Sequence, residues 1–386
     1  MFKRKYHSRL CGGDGDFRNK NHEIPEAIYG CPVTEISNHR CEVFAKNLET
    51  LTIPKTIKVI EEISGLEYNQ PVVCGDVLKS IIVSPENPYF SSENGALYDK
   101  EKTLLIKYPA GRSNSFFELP ETVTAIGNFA FNNSTNLEQI DLGSKVEKIG
   151  GDTFNGCSSL ENIILPDSIV DLGGGCFNNC TSLKSITLSQ QITRIEGYTF
   201  GNCIALESVS IPKNVSFIDT SGPMPAAGGC YLSAFSGCEN LTAITVDKDN
   251  EFYTDEDGIL YDKNKEKLLH FPCKKSNISY CVPDGVQEIS GHAFCNCTNL
   301  CEISLPDSLT RISYYAFENC TNLTSLKVPQ KTYIAAPAFR GCTSLTSIEV
   351  APENPFHKSI DGVLFGTYNE KLKLDTYPAG KTDKEY

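Results

Sequence analysis

Tryptophan is absent from the 386 residues, and methionine occurs only twice. No apolar run approaches the roughly 18 residues that a membrane-crossing helix needs, so no membrane insertion is expected. Basic residues are in deficit. The 35 Lys and Arg against 48 Asp and Glu leave a formal charge of −13. Nucleic acid and anionic membrane surfaces are therefore not expected as main partners, since both call for clustered Lys and Arg. The stretch from Met1 to Lys20 is basic at its start but lacks an apolar centre, so it does not read as a secretory signal. No Gly-x-Ser-x-Gly elbow, His-Glu-x-x-His pair or phosphate loop occurs. The six histidines (His7, His22, His39, His270, His292 and His357) never cluster in sequence. The expectation is a chain without catalytic residues, cofactor or metal: not an enzyme.

What is present is a repeat, and repeats are sought before any other pattern. Phe-x-x-Cys-x-x-Leu occurs at Phe154/Cys157/Leu160, Phe177/Cys180/Leu183, Phe200/Cys203/Leu206 and Phe235/Cys238/Leu241. It returns at Phe294/Cys297/Leu300, Phe317/Cys320/Leu323 and Phe339/Cys342/Leu345, with Phe131/Ser134/Leu137 as a variant. Phe131, Phe154, Phe177 and Phe200 follow one another at intervals of 23 residues. Three and five residues beyond each Leu stand aliphatics, as in Leu160/Ile163/Leu165 and Leu300/Ile303/Leu305. That alternation marks a short strand with one buried face. A proline often closes it, as at Pro166, Pro212, Pro306 and Pro329, because proline cannot donate to a ladder. A turn and a second aliphatic pair follow, such as Ile169/Leu172. A small residue then precedes each Phe, from Ala130 to Ala338, and suits a tight bend between coils.

One such unit cannot bury its own Leu, Ile and Phe, whereas stacked units bury them against each other. The fold class is thus a leucine-rich-repeat solenoid with a parallel, strand-lined, curved face. It comprises about 12 coils of about 23 residues, and twelve rungs imply one parallel sheet spanning roughly 50–60 Å. Three coils are elongated and carry a hairpin: Gly95-Ala-Leu-Tyr-Asp, Gly258-Ile-Leu-Tyr-Asp and Gly362-Val-Leu-Phe each precede a polar turn. Gly222 to Gly229 reads as a loop bulging from its coil. Residues 1–23 read as a loosely ordered lead, 24–380 as the solenoid and 381–386 as a tail. A monomer is favoured.

The unit Leu-x-x-Ile-x-Leu-Pro-x-x-(Val/Ile)-x-x-Ile-x-x-x-(small)-Phe-x-x-Cys-x-x-Leu resembles the BspA-like, treponemal-type leucine-rich repeat. The start Ile24-Pro25 to Ile36 resembles an opening coil of such arrays, while the coil around Ile57 to Val77 is degenerate. The resemblance implies a secreted or surface protein of the kind bacteria and some protists use for adhesion to host proteins, matrix or other cells. It supplies no catalytic residue. An intracellular interaction scaffold in the cytoplasm is the alternative, in keeping with the N-terminal stretch and the many thiols.

The 17 cysteines admit disulfides, a metal site or free buried thiols. Free thiols are favoured, each donating weakly to a backbone carbonyl, because parallel stacked side chains leave Cβ atoms farther apart than the ~3.8 Å of a disulfide. Cys295 forms a Cys-x-Cys pair with Cys297, but no second pair or histidine stands at metal spacing. Asp247 to Glu251 and Asp255 to Gly258 look superficially like calcium ligands but lack the EF-hand order, and a hairpin-entry turn is favoured. The candidate partner face is the outward set of strand residues: Thr50, Thr52, Gln139, Asp141, Ser185, Thr187, Ser208, Ser210, Glu302, Ser304, Ser325, Lys327 and Glu349. The whole outward column, which includes Phe116 and Ile164, is rich in Ser and Thr and poor in aromatics, which disfavours a glycan ligand and leaves a protein partner, or solubility alone. Of the hairpin aromatics Tyr89, Phe90, Tyr98, Phe252, Tyr253, Tyr261, Phe356 and Phe365, most are expected to pack inside their own coils and some to offer a second contact region.

Overall fold

The computed structural model describes residues 20–36, 47–60, 75–220, 233–276, 278–369 and 371–382. Most of the degenerate coil around Ile57 to Val77, the Gly222 to Gly229 loop and residues 1–19 lie outside these stretches. The chain is a β-solenoid of about 12 turns, and the described residues contain no helix.

Each regular coil holds two short strands. In Asn162–Ile164 and Ser185–Thr187 the middle isoleucine is buried and its neighbours are exposed. The strands stack in register, Ile163 beside Ile186 and Phe117 beside Ile140, so like residues of successive coils meet. Pro120, Pro166 and Pro306 then begin tight turns in which their carbonyls accept from Val123, Ile169 and Leu309 at 2.9–3.0 Å. The second strand is two residues long, as in Lys148–Ile149 beside Asp171–Leu172. Beyond it the chain bends past the fully buried small residue and Phe. The bend needs left-handed backbone just before the Cys slot, where Asn133, Gly156, Asn179, Asn202, Gly237, Asn296, Asn319 and Gly341 all have positive φ. Asparagine and glycine bear that conformation at least cost.

The long-strand face is not the single sheet expected from twelve rungs. Strands join in ladders of two, with three at the N-terminal end. Between ladders a single bond carries across, such as Glu161 N to Glu138 O and Glu207 N to Lys184 O, both 3.2 Å. With three-residue strands, losing one bridging bond ends a ladder on this face, while backbone bonds at the bend, such as Phe131 N to Thr153 O at 2.9 Å, still join successive coils.

The core is built around stacked rings. Phe131, Phe154, Phe177, Phe200 and Phe235 lie with centroids 5.1–6.1 Å apart and planes within 14°. A second stack runs from Phe271 through Phe294 and Phe317 to Phe339. Tyr108 and Phe271, each followed by a proline at the end of an elongated coil, begin the two stacks.

The elongated coils differ from the projecting hairpins inferred from sequence. Each is a three-stranded antiparallel unit, such as Tyr253–Glu256, Ile259–Asp262 and Lys267–His270. The extra first strand was hidden in the polar segment read as a turn. In the first two units the last strand joins the short-strand column in parallel, Leu104 beside Ala125 and Lys267 beside Glu288. Their middle strands are buried on both faces: Leu260 packs into the preceding core, while Ile259 and Tyr261 pack into the following one. They act as partitions within the stack. At their turns Asn94-Gly95, Asp257-Gly258 and Asp361-Gly362 all have paired positive φ, the geometry that suits a two-residue hairpin. A side chain at Gly258 would also meet Ala243 Cβ at 2.7 Å.

A buried asparagine anchors each unit. Nδ2 of Asn87 donates to Pro54 and Ile57, that of Asn250 to Pro212 and Val215, and that of Asn354 to Pro329 and Thr332, at 2.9–3.0 Å. Each Oδ1 accepts two amides at the start of its own unit, as from Phe252 and Tyr253.

Candidate functional site

The residues singled out as a partner face lie on the long strands of successive ladders. Gln139, Asp141, Ser185, Thr187, Ser208, Ser210, Glu302, Ser304, Ser325, Lys327 and Glu349 are exposed on the long strands, and Thr50 and Thr52 are half-buried there. The register pairs Thr50 with Ser80, Asp141 with Glu118, Ser210 with Thr245, and Lys327 with Glu349. Charge is thus placed unevenly. Glu118 and Asp141 make an acidic spot, Lys327 and Glu349 offset each other at 3.8 Å, and the middle coils are neutral hydroxyls. Ser185 Oγ donates to Asn162 at 2.6 Å, tying neighbouring coils on this face. The column is not wholly polar: Phe116 and Ile164 stand exposed in it, Ile164 at 70%. Of the hairpin aromatics, Tyr98 and Tyr261 are interior, while Tyr89, Phe252 and Phe356 are exposed at equivalent places beside the buried asparagines.

The cysteine column behaves as buried thiols. All described cysteines are free. In the repeat slot, Cys157, Cys180, Cys203, Cys238, Cys320 and Cys342 donate to the carbonyl of the Phe one coil earlier at 3.0–3.1 Å. Burial pushes the Cys157 and Cys203 thiols up to about 12, which removes their nucleophilic form. Ser134 fills the same slot without a partner. Asp247 to Glu251 is the expected hairpin-entry turn, with Asp247 accepting from Asp249 N and Asp255 from Val246 N.

One grouping escaped the sequence reading. His292, Cys295 and Glu318 bring a ring nitrogen, a thiol and a carboxylate oxygen within 4.8 Å of one another. Nδ1 of His292 lies 3.5 Å, and Sγ of Cys295 3.8 Å, from the same Oε2 of Glu318. Arg340 approaches the other carboxylate oxygen at 3.6 Å. His292 stacks on Tyr315 with planes 4° apart and is 1% exposed. The bond from His292 and the neighbouring cations hold the Glu318 carboxyl below its usual range against the opposing effect of burial. The available signal was periodic: Cys295 and Glu318 both follow the repeat Phe, one coil apart.

Stacked strands, two stacks of core rings and one slot residue per coil define a leucine-rich-repeat β-solenoid. The BspA type leucine rich repeat region matches in 6 copies over residues 110–222 and 269–379, more than half of the chain, which belongs to this family. No curated protein sequence matches. Among solved structures, a leucine rich cell surface protein from Faecalibacterium prausnitzii is similar at 23% identity, over 86% of this chain and 81% of that one, with TM-score 0.53. The pneumococcal vaccine antigen PcpA is similar at 22% identity, over 87% of this chain and 73% of that one, with TM-score 0.51. Both likenesses concern the fold.

Proposed function

We propose that the chain is a non-enzymatic, adhesin-like binding protein that engages a host or cell-surface protein. The long-strand face and the exposed hairpin aromatics are the contact regions. The observation that carries this reading is the unbroken exposure of Ser185, Thr187, Ser208 and Ser210, with Ile164 beside them, on a rigid stacked support. Solenoids of this kind present large binding surfaces without any chemistry. The two fold neighbours, a cell surface protein and a vaccine antigen, are in keeping with an outside location.

The second reading, an intracellular scaffold, draws on the free thiols, which suit a reducing setting. Protease treatment of intact source cells, with a cytoplasmic marker as control, separates the two. Cleavage with the marker intact supports the adhesin reading. Protection that is lost only on lysis removes it and favours the scaffold.

A further inference from the structure

We propose that His292, Cys295 and Glu318 form a binding site for a single Zn2+-like divalent transition-metal ion that clamps two successive coils. Imidazole, thiolate and carboxylate are the donors such an ion takes, and three protein ligands with one open position is a known arrangement for it. The two separations from the Glu318 carboxylate are close to those of a common centre. Bond lengths of about 2.0–2.3 Å at tetrahedral angles place nitrogen and sulfur roughly 3.4–3.6 Å from a shared-centre oxygen. The observed separations from Glu318 Oε2 are 3.5 Å and 3.8 Å.

The surroundings make this more than a chance meeting of side chains. His292 is 1% exposed, yet Nε2 has no hydrogen-bond partner and Nδ1 meets only Glu318 Oε2, at a long 3.5 Å. Buried polar groups are seldom left so, and a bound ion is one way to satisfy them. The ring is also fixed, stacked on Tyr315 at 5.2 Å, so its Nδ1 is held toward the carboxylate. The neighbouring thiols are otherwise engaged: Cys273 donates to the Cys295 carbonyl at 2.9 Å and lies 3.5 Å from the Cys297 sulfur. Cys295 alone of these aims at Glu318. The side chain of Glu318 is 15% exposed, which gives an ion a way in and a place for water as the remaining ligand. Arg340 borders the carboxylate on its other oxygen and leaves Oε2 free. This departs from the sequence expectation of no metal, which had no means of placing Glu318 over Cys295.

The test uses the full chain, reduced and stripped of metal, with the exposed Cys31 and Cys281 replaced by serine to remove outlying thiols. Co2+ is the probe, because a thiolate ligand gives it a near-ultraviolet charge-transfer band. The expected result is one Co2+ per chain with that band, displaced by Zn2+. Cys295→Ser should abolish the band, Glu318→Gln should weaken binding by at least about tenfold, and Cys273→Ser should leave the band intact. Should Cys295→Ser fail to fold, Glu318→Gln and His292→Asn carry the same test, since asparagine tolerates the positive φ at position 292. Absence of a thiolate band in the folded, reduced chain overturns the proposal. So does Co2+ affinity that these variants leave unchanged.

Discussion

Nδ2 of Asn250 donates to the carbonyl of Val215, 35 residues earlier, at 2.9 Å, and the same carboxamide holds Pro212, Phe252 and Tyr253. One buried side chain therefore closes a turn of the preceding coil and starts the elongated one. Replacing it with alanine leaves the Val215 carbonyl and two amides without this partner, while the Pro212 carbonyl keeps Val215 N at 3.2 Å. The expected loss is about 3 kcal/mol or more, since one unsatisfied buried group costs roughly 1–3 kcal/mol. Asn250→Asp should also destabilise, because a carboxylate accepts the two amides but has no N–H for the carbonyls. Urea unfolding of both variants measures this. A neutral Asn250→Asp would show that the donor bonds contribute nothing.

Phe177 lies between Phe154 and Phe200 at 5.4 and 6.1 Å with no exposure. Phe177→Ala should cost about 3–5 kcal/mol through the cavity it opens. Thr187→Ser on the exposed face should stay within about 0.5 kcal/mol. Equal, mild effects on thermal unfolding would contradict the inward and outward register.

The slot thiols should be chemically silent in the folded protein. Exposed Cys31 and Cys281 should react with an alkylating reagent within minutes, while Cys157, Cys180 and Cys203 react only as the chain unfolds. Mass spectrometry of labelled peptides with and without denaturant reads this directly. Rapid native labelling of Cys180 would contradict its burial.

His270 ties stability to pH. It is buried against Phe235 with neither ring nitrogen hydrogen-bonded, and burial, helped by nearby His292, lowers its pKa from 6.5 to about 4. The folded form is therefore the weaker proton acceptor. Stability is fully present above pH 6.5 and falls as pH drops through about 4, because the unfolded chain binds the proton first. The loss is on the order of 3 kcal/mol at one pKa unit per 1.36 kcal/mol. Unfolding free energies at pH 7 and pH 4.5, measured in metal-free buffer, should differ more in the native sequence than in His270→Leu. An equal pH dependence in both would assign the effect to other groups.

Much of the fold was legible because each coil repeats one burial problem. Ile163, Ile186 and Ile303 alternate with polar neighbours, and their burial follows from a period of two. The strand face was legible for the same reason. The elongated coils were less so: Ala96-Leu-Tyr-Asp and Ile259-Leu-Tyr-Asp are apolar on both sides, a pattern that an edge hairpin and a buried partition share. Asn87, Asn250 and Asn354 sit in polar runs that resemble turns, and nothing local distinguishes a buried carboxamide from a solvated one.

By itself, then, the sequence determined the repeat, the inward residues, the cysteine slot and the exposed column, because these depend on periodicity within one coil. The tertiary structure alone decided where the sheet ladders break, which hairpin strands became interior, and that Glu318 meets His292 and Cys295. Those features depend on how one coil lies over the next. Stacking brings residues a full repeat apart into contact, and an inserted strand unit shifts that alignment by an amount no local pattern records.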